Sequence, residues 1–386
     1  MPEHLTPSDL SVRCWQCSSE VPIGAYCIVC GNSLADEQAA RADAAGRYRA
    51  NPSESARSIS IASTLFPQLP RAELEVFRVA LLLGTGLVVV LTLLELFPVA
   101  VAVAATVVPL LVILYVYEID VYEDEPKRVV ALTLAWGAIA GIGAALLARA
   151  VALAATPGGS SDLVGALPVS IAVALVQLAL VLVGPLFLLR YRRFNDVLDG
   201  ATFGVASAAG FAWTYTLVFA MDVLMGGLQP GGDMSGWLLT IVNVALLRPL
   251  LLVSVAGAVC AALWLRYRGP VRDRGAMGPL GQPAFALLAG AVLLIGGGVS
   301  GALLESVPAT LLRGLLAVIA LVWLRRMIHL GLRQEAAEVE IGPARVCPNC
   351  GQHTPWHSFC AGCGISLRAL PKERGVARIH PGEEAV

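Results

Sequence analysis

Residues 163–189 read LVGALPVSIAVALVQLALVLVGPLFLL and contain no Asp, Glu, His or Lys. A run of this length needs no partner protein to make it helical. About 20 consecutive apolar residues span the hydrocarbon core of a bilayer, and in lipid a helix satisfies its own backbone. The stretch ends on Arg190, Arg192 and Arg193, and a second uncharged run, Ala201–Met221, follows. The same pattern extends in both directions. The apolar runs are Val76–Leu94, Pro98–Tyr117, Val129–Ala148, Val164–Leu189, Ala201–Met221, Pro249–Trp264, Phe285–Leu304 and Pro308–Leu324. They predict an all-α polytopic membrane protein with eight transmembrane helices. Trp237–Trp264 as one helix would be about 42 Å long at 1.5 Å per residue, against a core of about 30 Å. Arg248-Pro249 divides it, so the reading is a short surface or re-entrant helix, Trp237–Leu247, and a spanning helix from Pro249.

Composition agrees. The 386 residues are 57% hydrophobic and 14% charged, where soluble proteins carry about 25% charged residues. Mean hydropathy is +0.73. A soluble enzyme, a disordered chain and a nucleic-acid binder working by bulk charge are excluded, and the lipid bilayer is the first partner. Arginine and lysine set the orientation. With the N-terminus inside, inner loops hold Lys127 and Arg128; Arg190, Arg192 and Arg193; Arg266, Arg268, Arg272 and Arg274; and Arg325 and Arg326. Outer loops hold only Arg149. The expected location is the cytoplasmic membrane, multi-pass, with both termini in the cytosol.

Eight of nine cysteines form two identical patterns. Cys14, Cys17, Cys27 and Cys30 lie near the start; Cys347, Cys350, Cys360 and Cys363 lie near the end. Each reads C-x2-C, nine residues, C-x2-C. Two such turns aim four thiolates at one point, the arrangement of a closed tetrahedral zinc site. Gly31, Gly351 and Gly364 directly follow three of the pairs, where the knuckle favours positive φ. The expectation is a small zinc ribbon at each terminus, with two structural Zn2+ ions per chain. Two disulfides per ribbon are the alternative, disfavoured by strain across x2 and by a cytosolic location. His353 and His357 are read as loop residues, and Cys260 as a small buried hydrophobe. Arg13 is the only base near the first ribbon, which argues against a nucleic-acid surface. The tail carries Arg368, Lys372, Arg374 and Arg378 around Glu373 and is read as solvated.

These features divide the chain into an N-terminal ribbon (12–33), a linker and interfacial segment (34–75), an eight-helix membrane domain (76–326), a linker helix (327–343), a C-terminal ribbon (344–367) and a flexible tail (368–386). Within the linker, Leu65–Pro70 is read as touching the membrane surface. Asp199-Gly200 is read as a helix cap. Glu118, Asp120, Glu123, Asp124 and Glu125 form an acidic loop. Glu95 and Glu305 sit at outer helix ends, and Arg248 is the leading polar candidate in the membrane, with Asp222 or Asp233 as its partner. Gly137/Gly141 and Gly297/Gly301 give small-residue faces for helix packing, within the chain rather than between chains.

Two stretches carry a family resemblance. One is Tyr117-Glu-Ile-Asp-Val-Tyr-Glu-Asp-Glu-Pro-Lys-Arg128, leading into Ala135-Trp136-Gly137. The other is Arg190-Tyr-Arg-Arg-Phe-Asn-Asp-Val-Leu-Asp-Gly200, followed by Phe203-Gly204 and Gly210-Phe211-Ala212. Their order and spacing resemble the PrsW family of intramembrane metalloproteases, within the larger group of CAAX-type proteases. The resemblance runs from about Phe77 to Trp264, and the flanking ribbons resemble those of actinobacterial members. It implies a metal site made by a Glu-Glu-x-x-Lys motif in the fourth helix, a glutamate in the fifth and a histidine in the sixth. The matching positions here are Val176, Gln177 and Leu180, then Tyr215, then about Leu252. No histidine lies between His4 and His329. The resemblance therefore implies the fold, while these residues predict no catalytic site: a pseudoprotease acting as a scaffold or regulator, engaging protein partners through the ribbons and the membrane domain. The alternatives are an active metalloprotease with rearranged ligands (Asp199, Asp222 and Glu305) and a carrier or lipid-handling protein built on the Arg248 break.

Overall fold

The computed structural model describes residues 11–34, 74–120, 127–154, 163–225, 234–268, 278–336, 341–347 and 349–367. The interfacial segment Leu65–Pro70, Asp233, Arg272, Arg274 and the tail from Arg368 lie outside them, as do the side chains of the acidic loop and of Asp222.

Each of the eight apolar runs falls on a helix. They are α1 (Leu74–Leu93), α2 (Phe97–Asp120), α3 (Lys127–Ala154), α4 (Leu163–Leu188), α5 (Val197–Met225), α7 (Arg248–Tyr267), α8 (Pro283–Leu303) and α9 (Ser306–Ala336), with a short α6 (Met234–Thr240) before α7. Six stretches among the described residues are long and apolar enough to cross a membrane: Phe97–Leu114, Arg128–Ala150, Leu167–Leu188, Ser235–Tyr267, Pro283–Gly301 and Ser306–Gly331. The described apolar part of α1, Val79–Leu93, is shorter, and α5 is not among the six. The exterior fits a lipid solvent. Leu82, Leu132, Ile139, Phe187, Leu288 and Leu311 stand exposed on the outer helices, an arrangement water would penalise.

The centre of the bundle is α5 against α7. Every residue from Val197 to Ala212 and from Leu251 to Leu265 is buried. In addition to α7, α5 packs against α2, α3, α4 and α9. Side chains cannot fit where these helices cross, so glycine stands there. A Cβ on Gly204 would lie 2.5 Å from the Ala256 carbonyl oxygen of α7. Gly137 of α3 meets the Ser207 carbonyl of α5 in the same way. The Gly137/Gly141 face thus packs within the chain, as expected.

Trp237–Leu247 corrects the sequence reading. It is no separate surface or re-entrant helix: α6 continues through a π-helical segment (Ile241–Leu247) into α7, giving one helical stretch from Ser235 to Tyr267. The Arg248 N–H donates to the Asn243 carbonyl, five residues back. Proline lacks an N–H, and its ring crowds the preceding turn. The wider π turn gives that ring room, so the helix passes Pro249 unbroken. The last helix, α9, is continuous from Ser306 to Ala336.

The termini fold as two β-hairpins, β1 (Ser11–Arg13) with β2 (Glu20–Pro22), and β3 (Gly342–Val346) with β4 (His353–Trp356). Matching the cysteine quartets puts Tyr26 on Phe359 and Ile28 on Ala361. The two ribbons bond through these positions reciprocally. Tyr26 N–H donates to the Ala361 carbonyl, and Phe359 N–H to the Ile28 carbonyl, both at 2.9 Å. This is a local pseudo-two-fold axis, an isologous contact made inside one chain. Phe359 also joins the main core and lies 6.2 Å, ring to ring, from His329 of α9. The Arg268 Nε–H donates to the Leu189 carbonyl at 2.8 Å, and Gly331 faces Leu198. The ends of α4, α7 and α9, the start of α5 and the paired ribbons therefore share one end of the bundle, together with Arg190, Arg192, Arg193, Arg266 and Arg268.

Candidate functional site

Each quartet closes on itself. Cys14 and Cys30 sulfurs are 3.7 Å apart, as are Cys17 and Cys27; Cys347 and Cys363 are 3.9 Å apart, Cys350 and Cys360 3.8 Å. All four ligand atoms in each group lie within 4.8 Å of one another. A sulfur tetrahedron at about 2.3 Å from a metal has edges of about 3.8 Å, whereas a disulfide needs about 2.05 Å. The cysteines are free thiols, and each quartet could hold one metal ion. The knuckles are built as expected, with φ near +70° at Gly31, Gly351 and Gly364, and Ser18 taking the same turn at φ 60° after Cys17. Crowded thiols drive their titrations apart. Cys27 is pushed up to about 12 by Cys17, while hydrogen bonds from Cys27 and Cys30 hold Cys17 far below the thiol range. In the second ribbon Cys347 is pushed up to about 11 by Cys360. Amide donors support the sulfurs: Gly362 N–H reaches Cys360 Sγ at 3.3 Å, and Asn349 Nδ2 reaches Cys363 Sγ at 3.4 Å. His353 opens β4 rather than lying in a loop, whereas His357 lies in the bend that follows that strand. His357 is buried, its Nδ1 2.9 Å from the Ile28 carbonyl oxygen, and it joins the two ribbons.

A second site lies inside the bundle. A cavity of about 200 Å³ is lined by α4, α5, α7, α8, α9 and the π-helical segment. Gln177, Tyr215 and Leu252, three of the positions singled out by the resemblance, meet on its wall. Val176 is exposed on the outside of α4, and Leu180 accepts the Trp136 Nε1–H through its carbonyl at 3.1 Å. Among the described residues the lining contains no carboxylate, imidazole or thiol. Asp199 and Glu305 do not come together. Asp199 is buried in the first turn of α5, where its carboxylate accepts the Asp196 N–H at 3.1 Å, and Glu305 is exposed at the α8–α9 turn. Asp196, not Asp199, holds the cap position; Asp199 closes the turn three residues on, as in a capping box. Cys260 is fully buried, as expected.

The wall carries two arginines instead. Arg248 was expected from sequence; Arg313 of α9 was not. Arg313 is 8% exposed. Its Nε donates to the Gly297 carbonyl at 2.9 Å, its NH1 to Asn243 Oδ1 at 2.7 Å and its NH2 to Ser300 Oγ at 3.3 Å. The signal was present in the sequence, since an arginine inside the apolar run Pro308–Leu324 is costly and marks a site by default.

No curated protein and no solved structure matches the chain. The family model for PrsW family intramembrane metalloproteases matches residues 125–324, beginning later and reaching further than the motif resemblance did. With just over half of its length matched, across the helices that enclose this cavity, the chain belongs to the PrsW family of intramembrane metalloproteases.

Proposed function

We propose that this protein keeps the PrsW bundle without its peptidase chemistry and acts as a membrane scaffold or regulator. The membrane domain engages a membrane partner, and the ribbons engage cytosolic protein. The observation that carries the reading is the cavity wall. Hydrolysis by a metal needs three protein ligands and a base for the attacking water. The positions that meet there are Gln177, Tyr215 and Leu252, and among the described residues the lining supplies neutral side chains and two arginines. Among the described residues, the only groups of three or more potential ligands are the two cysteine quartets. Each quartet holds a structural zinc ion, since four sulfurs in a closed tetrahedron suit zinc and leave no open position. The membrane domain crosses eight times, with both termini and both ribbons in the cytosol, in accord with the arginines at the ribbon end.

The test is reconstitution of the full chain in liposomes with single-pass substrates, beside metal analysis. The expected result is no chelator-sensitive cleavage and about two zinc ions per chain. Cleavage that persists when both ribbons are removed, yet stops with a chelator, would overturn the reading.

A further inference from the structure

We propose that the bundle cavity binds a phosphate group between Arg313 and Arg248. The inference rests on the reading that the cavity holds no catalytic metal, because a divalent cation and two guanidiniums would repel one another in so small a space. Arg313 is built in rather than snorkelling. It is more than nine-tenths buried, and Gly301 leaves room for its guanidinium, a Cβ there lying 2.9 Å from NH2. Its three hydrogen-bond partners, Gly297, Asn243 and Ser300, are all neutral. They fix the plane of the group without cancelling its charge. A guanidinium has five N–H donors, so two remain beyond the three bonded here.

The positive charge of Arg248 also acts on Arg313, and both line the same cavity. Among the described residues no carboxylate lies on that wall. A buried charge with no opposite charge beside it among the described residues, and with a like charge nearby, is an arrangement that an anion would relieve. Arg313 comes from α9 and Arg248 from the start of α7, so they reach the space from different helices. A tetrahedral phosphate offers oxygens to both, and guanidinium pairs with phosphate in bidentate fashion. Gln177, Tyr215 and Thr216 add polar groups on the wall. A cavity of about 200 Å³ is below the 300–1,000 Å³ of a drug-sized ligand but ample for one phosphate with a few waters. Arg248 keeps solvent or lipid exposure, so the group has a way in.

The phosphate could be that of a lipid headgroup or free in solution, and the experiment separates these. Purified full-length protein in neutral detergent is titrated with dioleoyl phosphatidate, with dioleoylglycerol, with oleate and with inorganic phosphate, following the thermal midpoint. The expected result is a saturable rise with phosphatidate or with inorganic phosphate, and none with dioleoylglycerol or oleate. A rise with phosphatidate alone assigns a lipid headgroup; an equal rise with inorganic phosphate assigns a soluble ion. Arg313→Gln is expected to abolish the rise. Because that variant could fail to fold, Arg248→Gln, at the exposed margin, carries the same test, with an expected tenfold or greater loss of apparent affinity. An equal rise with dioleoylglycerol, a rise with oleate only, or unchanged affinity in Arg248→Gln would overturn the inference. Chelator-sensitive peptidase activity would defeat the functional reading on its own. Absence of phosphate binding in a chain without such activity defeats this inference alone.

Discussion

A single sulfur decides whether a ribbon holds metal. Each quartet is a closed tetrahedron, and three thiolates cannot complete it, so Cys360→Ser should lower bound zinc from about two to about one per chain, read by metal analysis of the purified protein. Zinc staying at about two per chain would mean that three thiolates suffice to hold the ion in the second ribbon. These eight residues were legible from sequence because ligand spacing is local: a C-x2-C turn defines its own geometry, and the knuckle glycines carry the φ that the turn demands. Arg313 is the opposite case. Its significance depends on Asn243, Gly297 and Ser300, which come from the π-helical segment and α8. Sequence could flag the charge in an apolar run but not the pocket it faces.

At the scale of the helix, contact distance is set by what a side chain leaves free. Gly204 lets α5 approach α7 until backbone meets backbone, and the Ala256 carbonyl oxygen and Cys260 Cβ would stand 2.5 and 2.9 Å from any added Cβ. Gly204→Leu should therefore force the two central helices apart and cost about 1–3 kcal/mol or more. The readout is a lower thermal midpoint in detergent, while Gly86→Leu, which has open space around it, should change little. The apolar runs were readable because lipid imposes a length and a composition on each. The fate of the Arg248-Pro249 break was not. A proline reads as a stop, and whether the turn before it winds as π, with Arg248 bonding back to Asn243, depends on the packing around Asn243, which also bonds Thr310 and Arg313 of α9.

For the whole molecule, the decisive feature is that the first and last ribbons grip one another and sit on the end of the bundle that carries the arginines. Zinc removal should loosen that grip. A strong chelator is expected to speed tryptic cleavage at the exposed Arg13 and Arg345 together, whereas cleavage of one without the other would mean that the ribbons are independent. Orientation is checked by labelling intact cells with an impermeant thiol reagent: a cysteine replacing Glu305 should react, and one replacing Arg192 should react only after permeabilisation. The reverse would invert the topology. None of this pairing was visible in sequence, because reciprocal bonds between residues 26–28 and 359–361 join segments more than three hundred residues apart. It has a geometric consequence. A chain whose two ends meet is a closed curve, and a closed curve pierces a sheet an even number of times. Among the described residues six stretches have the length and composition to pierce it, and α1 and α5 stand beside them. Parity forbids adding one of them alone. If those six and α5, buried at the very centre, all traverse the bilayer, then α1 must traverse it too for the two ribbons to meet on one side.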